Sequence, residues 1–240
     1  MGESQALTTA RWGIGREAQD AVALASHHNL ARAWDEGFFD DLVTPYLGLT
    51  RDNVLRADTT LEALAKLRPV FGGPAGTMTA GNSTAITDGA AVVLLAEEGV
   101  ARARNWPVLA RVVDAAVAAS DYTTGAEDLL LAPVRAIPVL LDRNGLTLAD
   151  FDLVEIHEAF AATLLATLAA LEAQGTGTIA RARLNVNGSS LGAGHPFAAT
   201  GARIVASLAK MLAAKGPGAR GLVSVCAAGG QGVVAILEAC

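Results

Sequence analysis

The chain has 240 residues, a formal net charge of −6 at pH 7 and a hydrophobic share of 52%. This length fits one large domain or one and a half smaller ones, and the apolar share can bury a sizeable core. The negative charge gives no electrostatic reason to bind nucleic acid, and no apolar run reaches the length of a membrane span. Two cysteines make no disulfide framework, so we expect a reducing, cytoplasmic setting. No His or Cys pair has metal-ligand spacing, so we expect no metal site.

The first hundred residues predict helices and loops that end in one short strand. A capping-box pattern, Thr59-x-x-Glu62, opens a helix that must stop before Pro69, because proline disfavours helix in the residue before it. Small polar residues fill 79–91, and the apolar run Val92–Ala96 is interpreted as a buried strand. The predicted helices are 5–11, 16–34 and 59–67.

The rest of the chain alternates between strand and helix patterns. Composition shifts near residues 102–107, where we place a domain boundary. The alternation predicts an α/β layered fold with a mainly parallel sheet. The predicted strands are 108–118, 153–157, 221–226 and 232–237, and the predicted helices are 132–141, 158–173 and 198–214.

Two glycine-rich stretches each carry one reactive side chain. His195 lies in Gly-Ala-Gly-His-Pro, and Cys226 lies between an apolar strand and a glycine loop. Glycine allows close approach of other groups. Each residue also has an ordinary structural interpretation, as a loop histidine bonded to carbonyls and as a small buried hydrophobe. The presence of both residues favours a catalytic role, because a nearby imidazole is the usual way to favour the thiolate form of a cysteine.

Two further positions have a functional and a structural interpretation. His157 ends a predicted strand, where sites collect in parallel α/β sheets, but it would also suit the start of the next helix. Ser83 and Thr84 lie in a small-residue turn, interpreted as a helix start. Free N–H groups there would suit a phosphate or a carbonyl, although a structural cap is the commoner meaning.

The motifs resemble those of the thiolase family. Asn185–Pro196 with the following Ala-Thr-Gly-Ala-Arg resembles the family's histidine motif, and Cys226-Ala-Ala-Gly-Gly-Gln-Gly its C-terminal cysteine motif. Glu155–Phe160 resembles a third motif, and Asn82–Ala91 the loop that approaches coenzyme A. Histidine at position 157, where many biosynthetic members have asparagine, is most similar to the degradative, trifunctional-complex type.

The resemblance implies a fold and a division of the chain. The family fold is a layered α-β-α sandwich of two five-stranded, mainly parallel halves, with a loop domain inserted in the first half. By that comparison residues 1–78 are the end of the loop domain and 79–105 the last segment of the N-terminal half. Residues 106–240 are then the C-terminal domain.

The resemblance also implies a reaction and a role for each residue. The reaction is thiolytic cleavage of a 3-oxoacyl-CoA, or the reverse Claisen condensation, with coenzyme A thioesters as substrates and no bound cofactor. Cys226 would be the acid/base thiol at the α-carbon, and His195 would activate a nucleophilic cysteine. His157 would donate to the thioester oxygen, directly or through a water. Contacts to the acyl-CoA would come from Ser83, Thr84, Phe160, Ala228 and Gly229.

One departure from the family concerns the nucleophile. The family's nucleophilic cysteine lies in the first half, and neither Cys226 nor Cys240 matches its motif. We expect this chain to start part-way along the usual thiolase sequence and to need an N-terminal thiolase half. That half would be a separate polypeptide or would be missing from this sequence. The other partners implied are further copies of this chain in a homo-oligomer and a hydratase/dehydrogenase subunit.

Two other functions stay open at this point. A thiolase-derived acyl-CoA or lipid-binding protein would bind coenzyme A without turnover. Alternatively, Cys226, His195 and His157 would exchange an α-proton or decarboxylate a 3-oxoacyl thioester without a covalent intermediate.

Overall fold

A four-stranded sheet covered by helices forms the centre of the fold, and the computed structural model describes residues 1–240. None of the helices combines the length and the apolar composition that a membrane crossing requires. The helices are α1 (Gly2–Arg11), α2 (Arg16–Asp35), α3 (Leu61–Ala65), α4 (Glu98–Ala103), α5 (Ala132–Asn144), α6 (Ala161–Ala173), α7 (Ser190–Ala193) and α8 (Thr200–Lys215). The strands are β1 (Pro69–Phe71), β2 (Met78–Thr79), β3 (Ala110–Ala119), β4 (Leu153–Ile156), β5 (Arg220–Ala227) and β6 (Gln231–Ala239).

The layered α/β fold is confirmed, but the prediction of a mainly parallel, five-stranded sheet is wrong for this chain. The strand order is β3-β6-β5-β4, and only β4 and β5 are parallel. A short turn, in which Gly229 and Gly230 have φ of +83° and +73°, joins β5 to β6. So short a connection can only return the chain antiparallel. The fifth position is reduced to one parallel bridge between Leu184 and Val154.

Helices cover both faces of the sheet because successive side chains of a strand point to opposite sides. On β5, Leu222 packs into a core with α5 and α6, while the next residue, Val223, packs under α8. On β6, Ile236 and Leu237 divide in the same way. The chain therefore builds helix, sheet and helix layers around two separate apolar cores.

Helix α5, which was predicted over 132–141, accommodates two prolines. Pro133 lies in the first turn, where no N–H bond is lost, and Pro138 lies inside the helix. The observed helix extends to Asn144 and ends at Gly145, whose φ of +63° suits a left-handed cap.

The predicted buried strand Val92–Ala96 is wrong. These residues have no regular structure, and Val92 is 92% exposed. An apolar run becomes a buried strand only where neighbouring strands accept its hydrogen bonds and cover both faces. No strand of this chain pairs with the run.

Gly188 sets the distance between α2 and the loop before α7. Its φ is +72°, and a Cβ there would lie 2.3 Å from the carbonyl oxygen of Ser26 and 2.7 Å from Leu30. We expect Gly188→Ala to lower the free energy of unfolding by at least about 2 kcal/mol, since it adds a left-handed backbone cost to overpacking. Urea unfolding measures this.

Gly201 is the matched control for Gly188→Ala. It lies in the first turn of α8, and a Cβ would meet nothing within 4 Å. Gly201→Ala should change stability by less than about 1 kcal/mol, in the stabilising direction. Equal effects of the two substitutions would show that Gly188 does not set the packing of α2.

Candidate active site

Two strand ends meet at one edge of the sheet and carry two of the predicted residues. β4 and β5 run parallel, so their carboxyl ends lie side by side. His157 follows β4 directly, and its N–H donates to the carbonyl of Ser224 at 2.9 Å. Cys226 lies two residues further along β5. Both line a cavity of about 980 Å³.

All but one of the residues predicted for catalysis or substrate binding line this cavity. Gly229 does not line it and instead forms the turn between β5 and β6. The predicted residues that line the cavity are His157, His195, Cys226, Ser83, Thr84, Phe160 and Ala228.

An extended segment over residues 83–87 holds the two motif loops together. Ser83 bridges Phe160, Ile86 bridges His195, and the N–H of His195 donates to the carbonyl of Ala85 at 2.9 Å. The helix start predicted at Ser83 and Thr84 is absent, because the short 3-10 turn Ala80–Asn82 ends before them. Backbone pairing with both motif loops takes its place.

Thr84 already has a structural partner. Its hydroxyl donates to the carbonyl of Ser190 at 2.6 Å, and its N–H donates to the carbonyl of Ala159 at 3.2 Å. Thr84 therefore ties the segment to both motif loops while one side faces the cavity. Phe160, which is bridged to the neighbouring Ser83, packs edge-on against Phe71 with ring centroids 5.9 Å apart.

Two imidazoles face each other in the cavity. The ring centroids of His157 and His195 lie 4.3 Å apart, with an angle of 38° between the planes. Nδ1 of His157 is 2.7 Å from Oγ of Ser190, and Nδ1 of His195 is 2.7 Å from Oγ1 of Thr200. Each ring is thus held through Nδ1, which leaves each Nε2 without a hydrogen bond within the chain.

Both imidazoles are neutral at pH 7. Burial lowers the pKa of His157 well below its usual value, and His195 and Arg203 lower it further. Burial, followed by the charge of Arg203, also lowers the pKa of His195. A neutral imidazole can accept a proton at one nitrogen or donate one from the other, but it supplies no fixed positive charge.

Cys226 is a thiol in this environment. Burial raises its pKa to about 12, and the neutral histidines supply no cation to offset that effect. The expectation that a nearby imidazole favours the thiolate stays a prediction, and burial acts against it in the chain without substrate. A protonated thiol suits proton donation to a carbanion.

One buried carboxylate positions both histidine-bearing segments. Oε2 of Glu158 accepts from Ser26 Oγ at 2.6 Å and from Leu191 N at 3.2 Å, while Oε1 accepts from Asn185 Nδ2 at 2.8 Å. Asn185 also brackets Ile156, accepting from its N–H and donating to its carbonyl. These bonds connect α2, the end of β4 and the loop that leads to His195.

Arg203 is a positive charge next to the histidines. It lies on α8, and its Nη2 donates to Oγ of Ser190 at 2.9 Å. Glu155 on β4 is buried, and burial raises the pKa of its carboxyl to about 8 against the opposing charge of Arg203.

Sequence reasoning missed Ser190 and Arg203 as site residues. They are 13 positions apart, and only the fold brings them together. A usable signal was available for Arg203. It lies three residues after Thr200 and one before Ile204, so a charged residue occupies the face of α8 that packs on the sheet.

Residues 106–239 match the family described as "Thiolase, C-terminal domain", and residues 1–99 match "Thiolase, N-terminal domain". The chain belongs to the thiolase family. The boundaries at residues 78 and 105 stay a prediction.

Named relatives of the chain are longer than it is. It is 42% identical to a "3-ketoacyl-CoA thiolase" of Yersinia pestis over 255 aligned positions, which cover 99% of this chain and 58% of the relative. A Bacillus anthracis acetyl-CoA acetyltransferase structure matches with a TM-score of 0.89 at 38% identity, over 100% of this chain and 60% of the other. The human mitochondrial 3-ketoacyl-CoA thiolase in complex with CoA matches with a TM-score of 0.87 at 34% identity, over 100% and 59%. The chain thus spans about three-fifths of the thiolases that it matches.

The buried carboxyl of Glu155 makes stability depend on pH. Its folded pKa of about 8 is above the ordinary 4.5, so the folded state binds more protons between these values and stability falls as pH rises through that window. Glu155→Gln should remove this decline. Urea unfolding of both proteins from pH 5 to 8 measures the difference, and parallel profiles would contradict the assignment.

The two cysteines should differ in reactivity. Cys226 is buried with a pKa of about 12, whereas Cys240 is exposed. Because only the thiolate reacts, we expect iodoacetamide at pH 8 to modify Cys226 at least about 100-fold more slowly than Cys240. Peptide mass spectrometry over time measures both rates. Equal rates would mean that Cys226 ionises near neutral pH.

Proposed function

We propose that the chain performs the proton-transfer and oxyanion-binding work of a thiolase. The reaction is thiolytic cleavage of a 3-oxoacyl-CoA to acetyl-CoA and a shortened acyl-CoA, or the reverse condensation. The observation that carries this proposal is the shared cavity, in which a neutral thiol and two neutral imidazoles meet on mostly apolar walls. The names of the relatives support the same reaction class.

Cys226 is the proton donor and acceptor at the α-carbon. When the bond between the α- and β-carbons breaks, its electron pair passes to the α-carbon and is delocalised as a thioester enolate. The S–H proton of Cys226 moves to that carbon to give acetyl-CoA. Burial of the thiol supports this role, because a thiol of pKa about 12 is protonated at the start of the step.

His157 donates to the enolate oxygen, directly or through a water. A donor aimed at developing charge in a site without bulk water is worth a few kcal/mol. The burial of His157, which is 1% exposed, and its position at the carboxyl end of β4 support this role. His195 takes the proton from the thiol that attacks the 3-oxo carbon.

The attacking thiol comes from outside these 240 residues in our proposal. Cys226 is committed to the α-carbon, and Cys240 is exposed and does not line the cavity. We place the acyl-carrying cysteine on an N-terminal thiolase half, with the present chain contributing residues 79–105 to that half and 106–240 as the C-terminal domain. Residues 1–78 are the end of the loop domain. A homo-oligomer or a hydratase/dehydrogenase subunit would complete the particle, which we place in the cytoplasm.

Contacts to the acyl-CoA are assigned to the cavity wall. Ser83, Thr84, Phe160 and Ala228 line it, and the side-chain oxygen of Ser83 is buried without a partner in the chain. A buried hydroxyl without a partner is costly, and an amide or carbonyl of the substrate would supply one. Gly229 acts through the turn that positions Ala228.

Thiolysis of acetoacetyl-CoA by the native particle tests the proposal. We expect Cys226→Ala and His195→Ala each to lower kcat by roughly 100- to 10,000-fold, the contribution typical of a positioned acid or base. Cys240→Ser is the matched control and should leave kcat unchanged. Intact masses of all polypeptides in the particle identify the chain that carries the acyl group.

Three results would contradict this function. Full turnover by Cys226→Ala would remove the assigned proton carrier. Coenzyme A binding without turnover in the native particle would favour a non-catalytic acyl-CoA-binding protein. Deuterium uptake by acetoacetyl-CoA without thiolysis would favour proton exchange alone.

A further inference from the structure

The hydroxyl of Ser190 can give its proton to only one partner. Its Oγ lies 2.9 Å from Nη2 of Arg203 and 2.7 Å from Nδ1 of His157. A guanidinium has donors only, so Arg203 occupies a lone pair of the oxygen and cannot receive its proton. The second lone pair could accept from a protonated Nδ1 of His157, but the hydroxyl proton would then have no acceptor within the chain. Donation from Ser190 to an unprotonated Nδ1 satisfies both groups and places the imidazole proton on Nε2.

The hydroxyl of Thr200 has a choice that Ser190 lacks. Its Oγ1 lies 2.7 Å from Nδ1 of His195 and 3.2 Å from the carbonyl oxygen of Pro196. When the hydroxyl donates to the carbonyl of Pro196, Oγ1 can accept a hydrogen bond from Nδ1–H of His195. Nε2 of His195 then has a free lone pair, and a second proton there leaves every hydrogen bond intact.

We infer that the hydroxyl partners of the two facing imidazoles determine which ring nitrogens can carry a proton, and that the outcome differs between His157 and His195. Arg203 and Ser190 are positioning residues that fix His157 as a neutral Nε2–H donor. Thr200 is a positioning residue that lets His195 gain and lose a proton at Nε2. The catalytic meaning of this difference rests on the proposed function, but the difference itself does not.

The balance of the proton step follows from this arrangement. When His195 takes a proton from a thiol, the S–H electron pair stays on sulfur and the proton bonds to Nε2. The Nδ1–H bond to Thr200 persists and shares the new positive charge. A proton on Nδ1 of His157 would instead face the hydroxyl of Ser190 with Arg203 behind it, and no acceptor would remain for the hydroxyl.

The positive charges next to His157 also disfavour its protonation, since Arg203 and His195 both lower its pKa. With centroids 4.3 Å apart, two imidazolium rings would repel strongly, so at most one ring is charged. The titratable or charged groups around the pair are Arg203 on α8, Cys226 on β5, and Glu155 and Glu158 on either side of His157.

Nitrogen NMR of the full chain tests the inference without any assay of activity. Long-range ¹H–¹⁵N spectra of the protein labelled at its four histidines report which ring nitrogens carry protons, and His→Gln variants assign the signals. We expect Nδ1 of His157 to be unprotonated throughout the pH range in which the chain is folded. Nε2 of His195 should gain a proton as pH falls.

Three variants at neighbouring positions separate positioning from packing. Ser190→Ala should shift the Nδ1 signal of His157 toward the protonated form, and Ser190→Thr, which keeps a hydroxyl, should restore the original signal. Ser189→Ala is the matched control, because Ser189 is fully buried and its Oγ has no partner. It should leave the signal of His157 unchanged.

Two results would overturn the inference. One is a protonated Nδ1 on His157 in the unmodified chain, which remains measurable even if a variant fails to fold. The other is an unchanged His157 signal in folded Ser190→Ala.

In an active particle, Ser190→Ala should lower kcat by roughly 10-fold with KM nearly unchanged. This loss is smaller than the roughly 100- to 1,000-fold typical when an oxyanion donor is removed outright. The expected tautomers in a particle without thiolysis would refute the proposed function and leave this inference standing.

Discussion

The site depends on one buried carboxylate. Glu158 accepts hydrogen bonds from α2, from the loop before α7 and from the first turn of α7 itself. Burial raises the pKa of this carboxyl, and the three donors oppose that shift. A carboxylate that links three segments far apart in sequence fixes their spacing more firmly than apolar packing does, because hydrogen bonds are directional. Its immediate neighbour, His157, inherits that fixed position.

Burial also keeps the reactive groups that line the cavity uncharged. The histidine pKa values are lowered and the Cys226 pKa is raised, both mainly because water is excluded. Each group is therefore in its uncharged form at pH 7. An apolar cavity also strengthens any interaction with charge that develops during the reaction.

Local sequence singled out the candidate residues, and the resemblance to thiolases implied that they share a site. His195 and Cys226 stand in glycine-rich stretches, and His157 stands at a strand end. The structure places all three on one cavity. The bonds through Ser190 and Arg203 were not predictable, since no spacing rule links residues that meet only across the layers of a fold. Which residues carry which role in catalysis stays a prediction.

The errors in the fold have a common origin in pairing. Helices such as α5 and α8 were predicted well, because their hydrogen bonds are local. The strand predicted over 92–96 and the fifth sheet position depended on partners elsewhere in the chain. An apolar run shows what a segment would bury but not which strand lies beside it. Nor does it show whether the pairing is parallel or antiparallel, which for β5 and β6 the turn at Gly229 decides.

Arg203 links the stability of the site to its chemistry. Removing a guanidinium from water is costly, and burial lowers its pKa. The acidic groups of Glu155, Asp52 and Glu158 oppose that shift when they are ionised. The same guanidinium opposes a positive charge on His157 and, through Ser190, orients the one hydrogen bond that the ring makes. Replacing Arg203 by an apolar residue would remove the burial cost but would leave Glu155 without its nearby cation and the hydroxyl of Ser190 free to turn. A charge that weakens the fold is therefore compatible with the inferred arrangement, in which one imidazole stays neutral while its neighbour carries the proton.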